Sequence, residues 1–364
     1  MRKLILIILS LFLFLPVFAE DTGTIILPSA KGIVQSIDYF DSENLTKQNV
    51  KVKILSGDFK GEVVELENVL SGNPYYDINL SNNTKVVLHA EDNGEGVQFS
   101  IEDVQRSGNL LWLSLIFCGL LVYVGKIKGL YSIISIIITV FLITNMLSPM
   151  ILLGINAVFA SILICILSTI ITMYLVGGIN SKSTSASIGA TLSLGFAAII
   201  SAIVMKTASL TGFCNETTMF LYSTHPELNF VNITISAMIL ATLGAVMDVA
   251  MSIASTINEI FETDDTKKTN ELFESGMNVG RDIIGTMANT LILVYLGGSL
   301  PLVMLSSNID LQKFINLNQV VTEISSAIIG SIAIVICVPF TAFVSSRMSK
   351  RFHKNTVEPS ENII

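Results

Sequence analysis

Residues 150–176 read MILLGINAVFASILICILSTIITMYLV, a stretch of 27 residues without a charged side chain. A helix of about 17 to 25 predominantly apolar residues crosses the interior of a bilayer, so this stretch predicts a spanning helix that is long enough to tilt. Runs of the same kind occur near residues 109–125, 129–147, 186–205, 230–255, 282–305 and 320–345. The sequence therefore predicts a polytopic α-helical membrane protein with about seven transmembrane helices.

The composition of the 364-residue chain supports the same class. Hydrophobic residues make up 51% of it and charged residues 14%, and its mean hydropathy is +0.68. These values exclude a soluble globular domain, an acidic disordered chain and a nucleic-acid-binding protein. The predicted environment is a lipid bilayer.

The N-terminus has the features of a secretory signal peptide. A basic start at Met1-Arg2-Lys3 precedes an apolar run, and Val17-Phe18-Ala19 then resembles a cleavage site. We predict a signal peptide over residues 1–19, with an uncleaved signal anchor as the alternative, because the apolar run of about 15 residues is short for a span. In both cases the segment that begins at Glu20 is exported.

The distribution of basic residues predicts the topology. If the segment after Glu20 lies outside, ten lysines and arginines fall in intracellular segments and two fall in outer loops. Cytoplasmic segments of membrane proteins carry such an excess. We therefore predict a cell-membrane protein with an extracytoplasmic domain over residues 20–108, a transmembrane domain over 109–345 and a basic cytoplasmic tail over 346–364.

The exported segment is predicted to be β-rich. Short alternating runs, separated by turn residues, are typical of strands. A hairpin turn is predicted from Gly57 to Gly61. Five or six strands in roughly 85 residues indicate a small barrel of the OB or SH3-like kind. The runs are KGIVQSID (31–38), NVKVKILSG (49–57), GEVVELEN (61–68), YYDINL (75–80), TKVVLHAED (84–92) and GVQFSIEDV (96–104).

The charge of this domain bears on its partners. Residues 20–106 contain 15 acidic and 7 basic residues, which argues against contact with nucleic-acid phosphates. The domain is either a platform for an envelope protein or ligand at the outer mouth of the membrane domain, or a solvated cap without a partner. None of the four cysteines lies in it, so no disulfide framework is expected there.

Two of the apolar runs contain polar residues at membrane depth. Asp248 is placed roughly 7 Å, and Asn289 roughly 6 Å, to the cytoplasmic side of the midplane at about 1.5 Å per residue. A carboxylate inside a span is costly and marks a functional site by default. The sequence predicts an ion or small-solute site formed by Asp248, Ser252, Asp282, Thr286 and Asn289, with Glu259 and Arg281 as an ion pair or gate. The alternative is a structural hydrogen-bonded clamp between the two helices.

Small residues in the spans predict close helix packing, because helices in lipid associate through such residues. One run has small residues at four-residue intervals from Ser185 to Ser201. Another has Ala237, Ala241 and Ala245 on one stripe, next to Gly244 and Asp248. Both stripes are expected to be buried against other helices.

Helix-breaking residues are concentrated toward the end of the sixth run. Gly297, Gly298 and Pro301 predict either a discontinuous helix, as transporters have around a substrate, or the plain end of a shorter helix.

Two segments around the polar residues resemble a known family. GAVMDVAMSIASTINE (244–259) and GMNVGRDIIGTMANTLILVYLGGSLP (276–301) are similar to the signature segments of YibE/F-like membrane proteins. The order of segments also agrees, and the resemblance extends from about residue 30 to 345. It implies a bacterial multi-pass membrane protein and implies no defined activity.

The residues therefore leave two main hypotheses. The first is a transporter or channel for an ion or small polar solute, and the second is a sensor or assembly scaffold that binds an envelope partner through the β domain. No HExxH or GxSxG motif is present, so we expect no enzyme, no catalytic residues, no metal site and no cofactor.

Overall fold

The computed structural model describes residues 25–42, 45–92 and 97–357. The predicted signal peptide, residues 1–19, lies outside the described residues. The chain divides into two compact units, with a boundary in the sequence between Leu120 and Leu121.

The first unit is a curled antiparallel sheet. Its strands are β1 (Ile25–Ser42), β2 (Leu45–Ile54), β3 (Val63–Leu70), β4 (Lys85–Asp92) and β5 (Val97–Val104), in the spatial order β3-β2-β1-β4-β5. Register shifts between Leu27 and Ala30 and between Val34 and Ser36 interrupt the ladders of the long strand β1. Such bulges increase bending and twist, and the outermost strands β3 and β5 contact each other. The predicted barrel-like β domain is confirmed.

The core of the sheet follows the alternation of the sequence. Val50, Val52 and Ile54 of β2 and Val86 and Leu88 of β4 are fully buried, as expected for side chains at two-residue intervals on one face. The predicted hairpin turn joins β2 to β3, and Gly57 and Gly61 both have positive φ there. The Gly61 amide donates to the Ile54 carbonyl at 2.9 Å, which closes the turn.

The run YYDINL, residues 75–80, is a loop and not a sixth strand. The carboxylate of Asp77 accepts hydrogen bonds from the backbone amides of Ser71 and Gly72, at 2.6 and 2.8 Å, and from the Ser71 hydroxyl. These bonds close a turn because they hold Asp77 beside the residues that precede it in the chain. The alternation of the run persists only in Ile78 and Leu80, which pack on the sheet core.

This carboxylate predicts an acid-sensitive loop. Desolvation opposes ionisation of Asp77, but the bonds from Ser71 and Gly72 outweigh it, so its pKa lies below the usual value. Stability from a group with a lowered pKa is present above the unfolded-state pKa, about 3.9 for Asp. It is lost as the pH falls through the folded-state pKa. We expect Asp77→Asn to lower the hydrogen-exchange protection factors of the Ser71 and Gly72 amides several-fold at neutral pH.

Acidification of the wild-type chain should lower the same two protection factors. The control is Asp58→Asn, since Asp58 lies in the exposed turn between β2 and β3. Unchanged protection of Ser71 and Gly72 in Asp77→Asn would show that the carboxylate does not hold this loop.

The second unit is helical, and helix α1 (Ser107–Leu142) leads into it from the first. The remaining helical segments are the π-helical turn Ile143–Leu147, α2 (Ser148–Leu152), α3 (Ala157–Gly177), α4 (Ser181–Thr207), α5 (Glu216–Thr224), α6 (Phe230–Thr263), α7 (Thr269–Gly298), α8 (Leu300–Leu305), the 3-10 turn Ser306–Asn308, α9 (Leu311–Phe314) and α10 (Asn318–Val357).

Within the described residues, six helices are long and apolar enough to cross a membrane, one fewer than the seven predicted. The first two predicted runs both fall within one of these six, Ser107–Leu152, which consists of helical segments that meet at a kink between the runs. Lys126 alone leaves helical geometry, with φ 50° and ψ −130°. The bend is sharp: Gly129 lies so close to the Leu121 carbonyl that a Cβ would not fit.

The uncharged stretch of residues 150–176 is interrupted after Leu152, and its long helix begins at Ala157. Gly154 has a φ of 82°, and the Asn156 side chain caps α3 by accepting hydrogen bonds from the amides of Val158 and Phe159. The N-cap interaction fixes the start of the span at Ala157, seven residues later than the apolar run suggests.

Helices α4, α6 and α10 form the centre of this unit. The stripe of α4 predicted to pack is buried, and Gly189 lies directly against Thr341 of α10. Ser193 and Ser201 on this stripe donate to carbonyls one turn earlier, so their hydroxyls are satisfied without a partner helix. The interface is therefore a close approach of small side chains, as is typical of helix pairs in membranes.

Candidate functional site

The predicted site residues of α6 lie on its exposed side. The opposite side, with Val246, Ala250, Ile253 and Ile257, is fully buried in the helical unit. Ala237, Ala241 and Gly244 are exposed together with Asp248 and Ser252. The expectation that this stripe packs against other helices is wrong for the described chain. The larger aliphatic side chains occupy the buried face because they fill more of the interior than alanine or glycine does.

Within the residues that the structure describes, the Asp248 carboxylate forms no hydrogen bond and no ion pair. Ser252, one turn later, donates its hydroxyl to the Asp248 backbone carbonyl at 2.8 Å and not to the side chain. Thr256 donates in the same way to Ser252 at 2.9 Å. The hydroxyls thus satisfy the helix backbone, and the carboxylate remains available.

Close packing orients α7. Gly276 lies against Ile257 of α6 and Ala342 of α10, and Gly280 lies against Val338 of α10. At both glycines a Cβ would overlap the neighbouring side chain. Because these glycines face inward, the residues on the other side of α7 face outward.

That outward side carries the predicted polar residues Asp282, Thr286 and Asn289, all of which are exposed. The Thr286 hydroxyl donates to the Ile283 carbonyl at 2.9 Å. We call the five residues Asp248, Ser252, Asp282, Thr286 and Asn289 the polar stripe. α6 and α7 contact each other, but among the described residues no hydrogen bond joins the two parts of the polar stripe.

The predicted pair of Glu259 and Arg281 is not formed in this structure. Arg281 donates to the Asn278 side chain of its own helix at 2.7 Å. Glu259 is exposed, and its backbone carbonyl accepts from the Thr263 hydroxyl at 2.8 Å. Each residue therefore interacts within its own helix.

The helix is interrupted at the predicted helix-breaking residues Gly297, Gly298 and Pro301. α7 ends at Gly298, next to Gly297, and α8 begins at Leu300 with Pro301 in its first turn. Ser299 between them keeps backbone bonds on both sides, to Tyr295 and from Val303, each at 3.0 Å. The chain is thus helical before and after Ser299, with one non-helical residue at the break.

A second feature was missed from the sequence. Tyr295, Ser299 and Glu323 line one cavity of about 310 Å³ between the end of α7, α8, α9 and the start of α10. A sequence signal existed, because Glu323 is the one charged residue in the run 320–345.

Comparison with known proteins gives the family. The sequence model described as YibE/F-like protein matches residues 113–351, and the model described as the YibE/F family N-terminal domain matches residues 30–104. The first match contains the polar stripe and the cavity, and the second contains most of the β-sheet. No curated protein and no solved structure matches the chain.

Proposed function

Because the chain belongs to the YibE/F-like family and is an integral membrane protein, we propose that it moves an ion or a small polar solute across the bilayer along the polar stripe. In this proposal Asp248 supplies the charge of the site, and the protein acts without catalysing a reaction. Ser252, Asp282, Thr286 and Asn289 supply neutral and acidic oxygen atoms on the exposed sides of α6 and α7.

The observation that carries the proposal is the exposed carboxylate of Asp248 on a membrane helix. Polar and ionisable groups in spans are costly in contact with lipid, and they almost always face protein or a water-filled cavity. The buried side of α6 is occupied by aliphatic residues, so Asp248 cannot be satisfied there. The face of the polar stripe must therefore border water, solute or another protein surface.

The position of α7 supports this interpretation. Its most apolar 18-residue window is only 11% buried, against 44% to 50% in α3, α4, α6 and α10. The mean hydropathy of this window, 1.2, is the lowest among the six candidate spans. A peripheral helix that is also the least apolar is poorly suited to lipid on its exposed side, and it suits the wall of a polar path.

The orientation belongs to the proposal. We place the β domain outside the cell and the C-terminus in the cytoplasm, on the excess of basic residues in the segments assigned to the inside. This orientation requires an odd number of crossings, so in this proposal the two parts of Ser107–Leu152 on either side of Lys126 cross the membrane separately. Lys126 at the bend of α1, with Lys128 beyond it, is consistent with a turn at the cytoplasmic surface. The polar stripe then lies in the inner half of the membrane.

Thermal unfolding of the purified full chain with a panel of ions and polar metabolites tests the site. A ligand at 100 times its dissociation constant adds about 2.7 kcal/mol. That corresponds to a rise in melting temperature of roughly 5–10 °C for a chain of this class. We expect one solute class to stabilise the wild type and not Asp248→Asn, while Glu274→Gln keeps the response. Glu274 is an exposed carboxylate near the start of α7, so its variant controls for loss of charge.

A different result of the same experiment would contradict the proposal. If no solute stabilises the wild type and Asp248→Asn unfolds at a lower temperature by itself, Asp248 is a structural residue. The proposed path along the polar stripe would then be wrong.

A second candidate, binding of an envelope partner by the β domain, is favoured by two exposed aromatic residues. Tyr75 and Tyr76 are 72% and 69% exposed and contact each other edge to face in the loop that Asp77 closes. Exposed tyrosines are enriched at protein interfaces. This candidate predicts that function survives Asp248→Asn and is lost when both tyrosines are replaced by serine.

A further inference from the structure

The outward side of α7 carries a regular line of exposed residues. Gly285 lies at its centre, nine residues after Gly276, and nine residues make about two and a half helical turns, so the two glycines face opposite ways. Gly276 packs against α6 and α10, whereas a Cβ added at Gly285 meets no neighbouring atom within 4 Å. We call this line the α7 seam. Its exposed residues, at alternating steps of four and three, are Asn278, Asp282, Gly285, Asn289, Ile292 and Leu296.

The spacing of the α7 seam is that of a helix that pairs with another helix. Steps of four and three residues average 3.5, the repeat that keeps one side of a helix against a parallel partner. A central glycine allows two backbones to approach closely in a membrane, and amide side chains form hydrogen bonds across such an interface. Asn278 and Asn289 supply these amides on either side of Gly285.

The charges on this side of α7 complement themselves. In helical projection Arg281 and Asp282 lie about 40° and 60° to either side of Gly285. A two-fold axis along the membrane normal places each residue at the depth of its counterpart, so the Arg281 side of one copy meets the Asp282 side of the other, twice. Within the described residues neither side chain belongs to an ion pair, and Arg281 donates to Asn278 of its own helix.

We propose that α7 packs in parallel against α7 of a second copy of this chain, with Gly285 at the two-fold axis. Asn289 pairs with Asn289 of the partner subunit, and Arg281 pairs with Asp282 of the partner subunit. A second copy fits this side better than lipid, because hydrocarbon cannot satisfy the polar groups of the seam. It fits better than an unrelated protein, because the charge pattern is complementary to itself.

Glycine contacts fix the level of α7 relative to α6. Gly276 lies against Ile257 of α6, and Gly330 of α10 lies against both Thr242 of α6 and Leu291 of α7. Fifteen residues separate Thr242 from Ile257, and fifteen separate Gly276 from Leu291. One step forward along α7 therefore corresponds to one step back along α6.

This register brings the partner subunit to the polar stripe. Position 281 of α7 is level with Ser252 of α6, which lies one helical turn from Asp248. Arg281 of the partner subunit, paired with Asp282, therefore reaches the depth of the Asp248 carboxylate. The inference deepens the proposed function and rests on it in this respect, since the path along the polar stripe then lies between two copies.

Disulfide formation at Ile292 tests the interface. Ile292 is an exposed apolar member of the α7 seam and is not part of the polar stripe. Ile292→Cys would be oxidised with copper phenanthroline in proteoliposomes, in a full chain whose native cysteines are replaced by alanine. Equivalent positions of a parallel pair bring two Cβ atoms near the roughly 3.5–4.5 Å that a disulfide requires. We expect at least about tenfold more covalent dimer than with Leu192→Cys, on the exposed side of α4.

An exchange of charges separates recognition from folding. Arg281→Asp and Asp282→Arg each place like charges opposite each other across the axis, so each should lower dimer formation by Ile292→Cys several-fold. The double variant restores two pairs of opposite charge with the sides exchanged, and it should recover the dimer. A loss that came from misfolding would not be recovered in this way.

The proposal is overturned if Ile292→Cys forms no more dimer than Leu192→Cys, as lipid or a different protein on this side of α7 would cause. It is also overturned if the double variant stays as low as the single ones. Crosslinking measures assembly alone, and the response of Asp248 to solutes is measured by thermal unfolding. Each proposal can therefore fail without the other.

Discussion

Replacing Gly189 with leucine is expected to destabilise the helical unit strongly. Gly189 of α4 lies directly against Thr341 of α10, and a Cβ built there would come within 2.9 Å of the Thr341 Cα atom. A backbone atom cannot move aside as the end of a flexible side chain can. The two helices would have to separate along the interface between them.

The expected magnitude follows from overpacking in well-packed interiors, which costs about 1–3 kcal/mol and occasionally more. Because Gly189 meets backbone, we expect the upper end, about 3 kcal/mol. In a helical unit of roughly this size that lowers the melting temperature by about 6–12 °C. Thermal unfolding of the detergent-purified chain, followed by loss of the monodisperse species in size-exclusion chromatography, measures the change.

The same helix supplies the matched control. Gly195 of α4 has no atom of another residue near its added Cβ, so Gly195→Leu changes composition and helix propensity in the same way without overpacking. It should leave the melting temperature within a few degrees of the wild type. Equal effects of the two substitutions would show that α4 and α10 do not approach each other as described.

The sequence predicted the class of the protein because both of its signals are strong and local. An uncharged run such as residues 150–176 is costly to expose to water, and alternation such as that around Val50 and Val52 places every second side chain inside. The small-residue stripe around Gly189 was also predicted correctly, since such stripes favour close helix approach. These features depend on neighbouring residues alone.

The errors occurred where a distant part of the chain or a single residue decides the structure. One carboxylate, that of Asp77, turns a strand-like run into a loop. The stripe with Gly244 contains small residues, as the buried stripe of α4 does, but it lies on the surface of α6. Composition cannot distinguish these cases, because the larger residues on the opposite face decide which side is buried.

The cavity at Glu323 could not be predicted because its wall comes from segments with no common pattern. The end of α7, Phe314 of α9 and the start of α10 meet only in the folded chain. The polar stripe was predictable residue by residue, since its members stand out in apolar runs. Its exposure was not predictable, and neither was the absence of hydrogen bonds between its two parts in the described structure.

This absence bears on the alternative of a structural clamp. A clamp requires hydrogen bonds across the two helices, and the hydroxyls of Ser252 and Thr286 instead bond to carbonyls of their own helices. Asp248 lies on an exposed surface that has no such partner in the parts of the chain described. The described geometry therefore lacks the hydrogen bonds that a clamp requires, and the path along this face is a proposal to be tested.

The most direct test of the path is the reactivity of a thiol placed on it. Gly244 is exposed one turn before Asp248, and an added Cβ meets no neighbouring atom, so Gly244→Cys should fold normally. The four native cysteines, Cys118, Cys165, Cys214 and Cys337, would be replaced by alanine. Leu192→Cys on the exposed side of α4 is the control at an apolar, lipid-facing position.

Thiols react as thiolates, which form in water and not in hydrocarbon. If the polar stripe borders a water-filled path, the cysteine at position 244 should react with a membrane-impermeant thiosulfonate in proteoliposomes at least about a hundredfold faster than the cysteine at position 192. Equal and slow labelling at the two positions would contradict the account, because the face of Asp248 would then be closed to water.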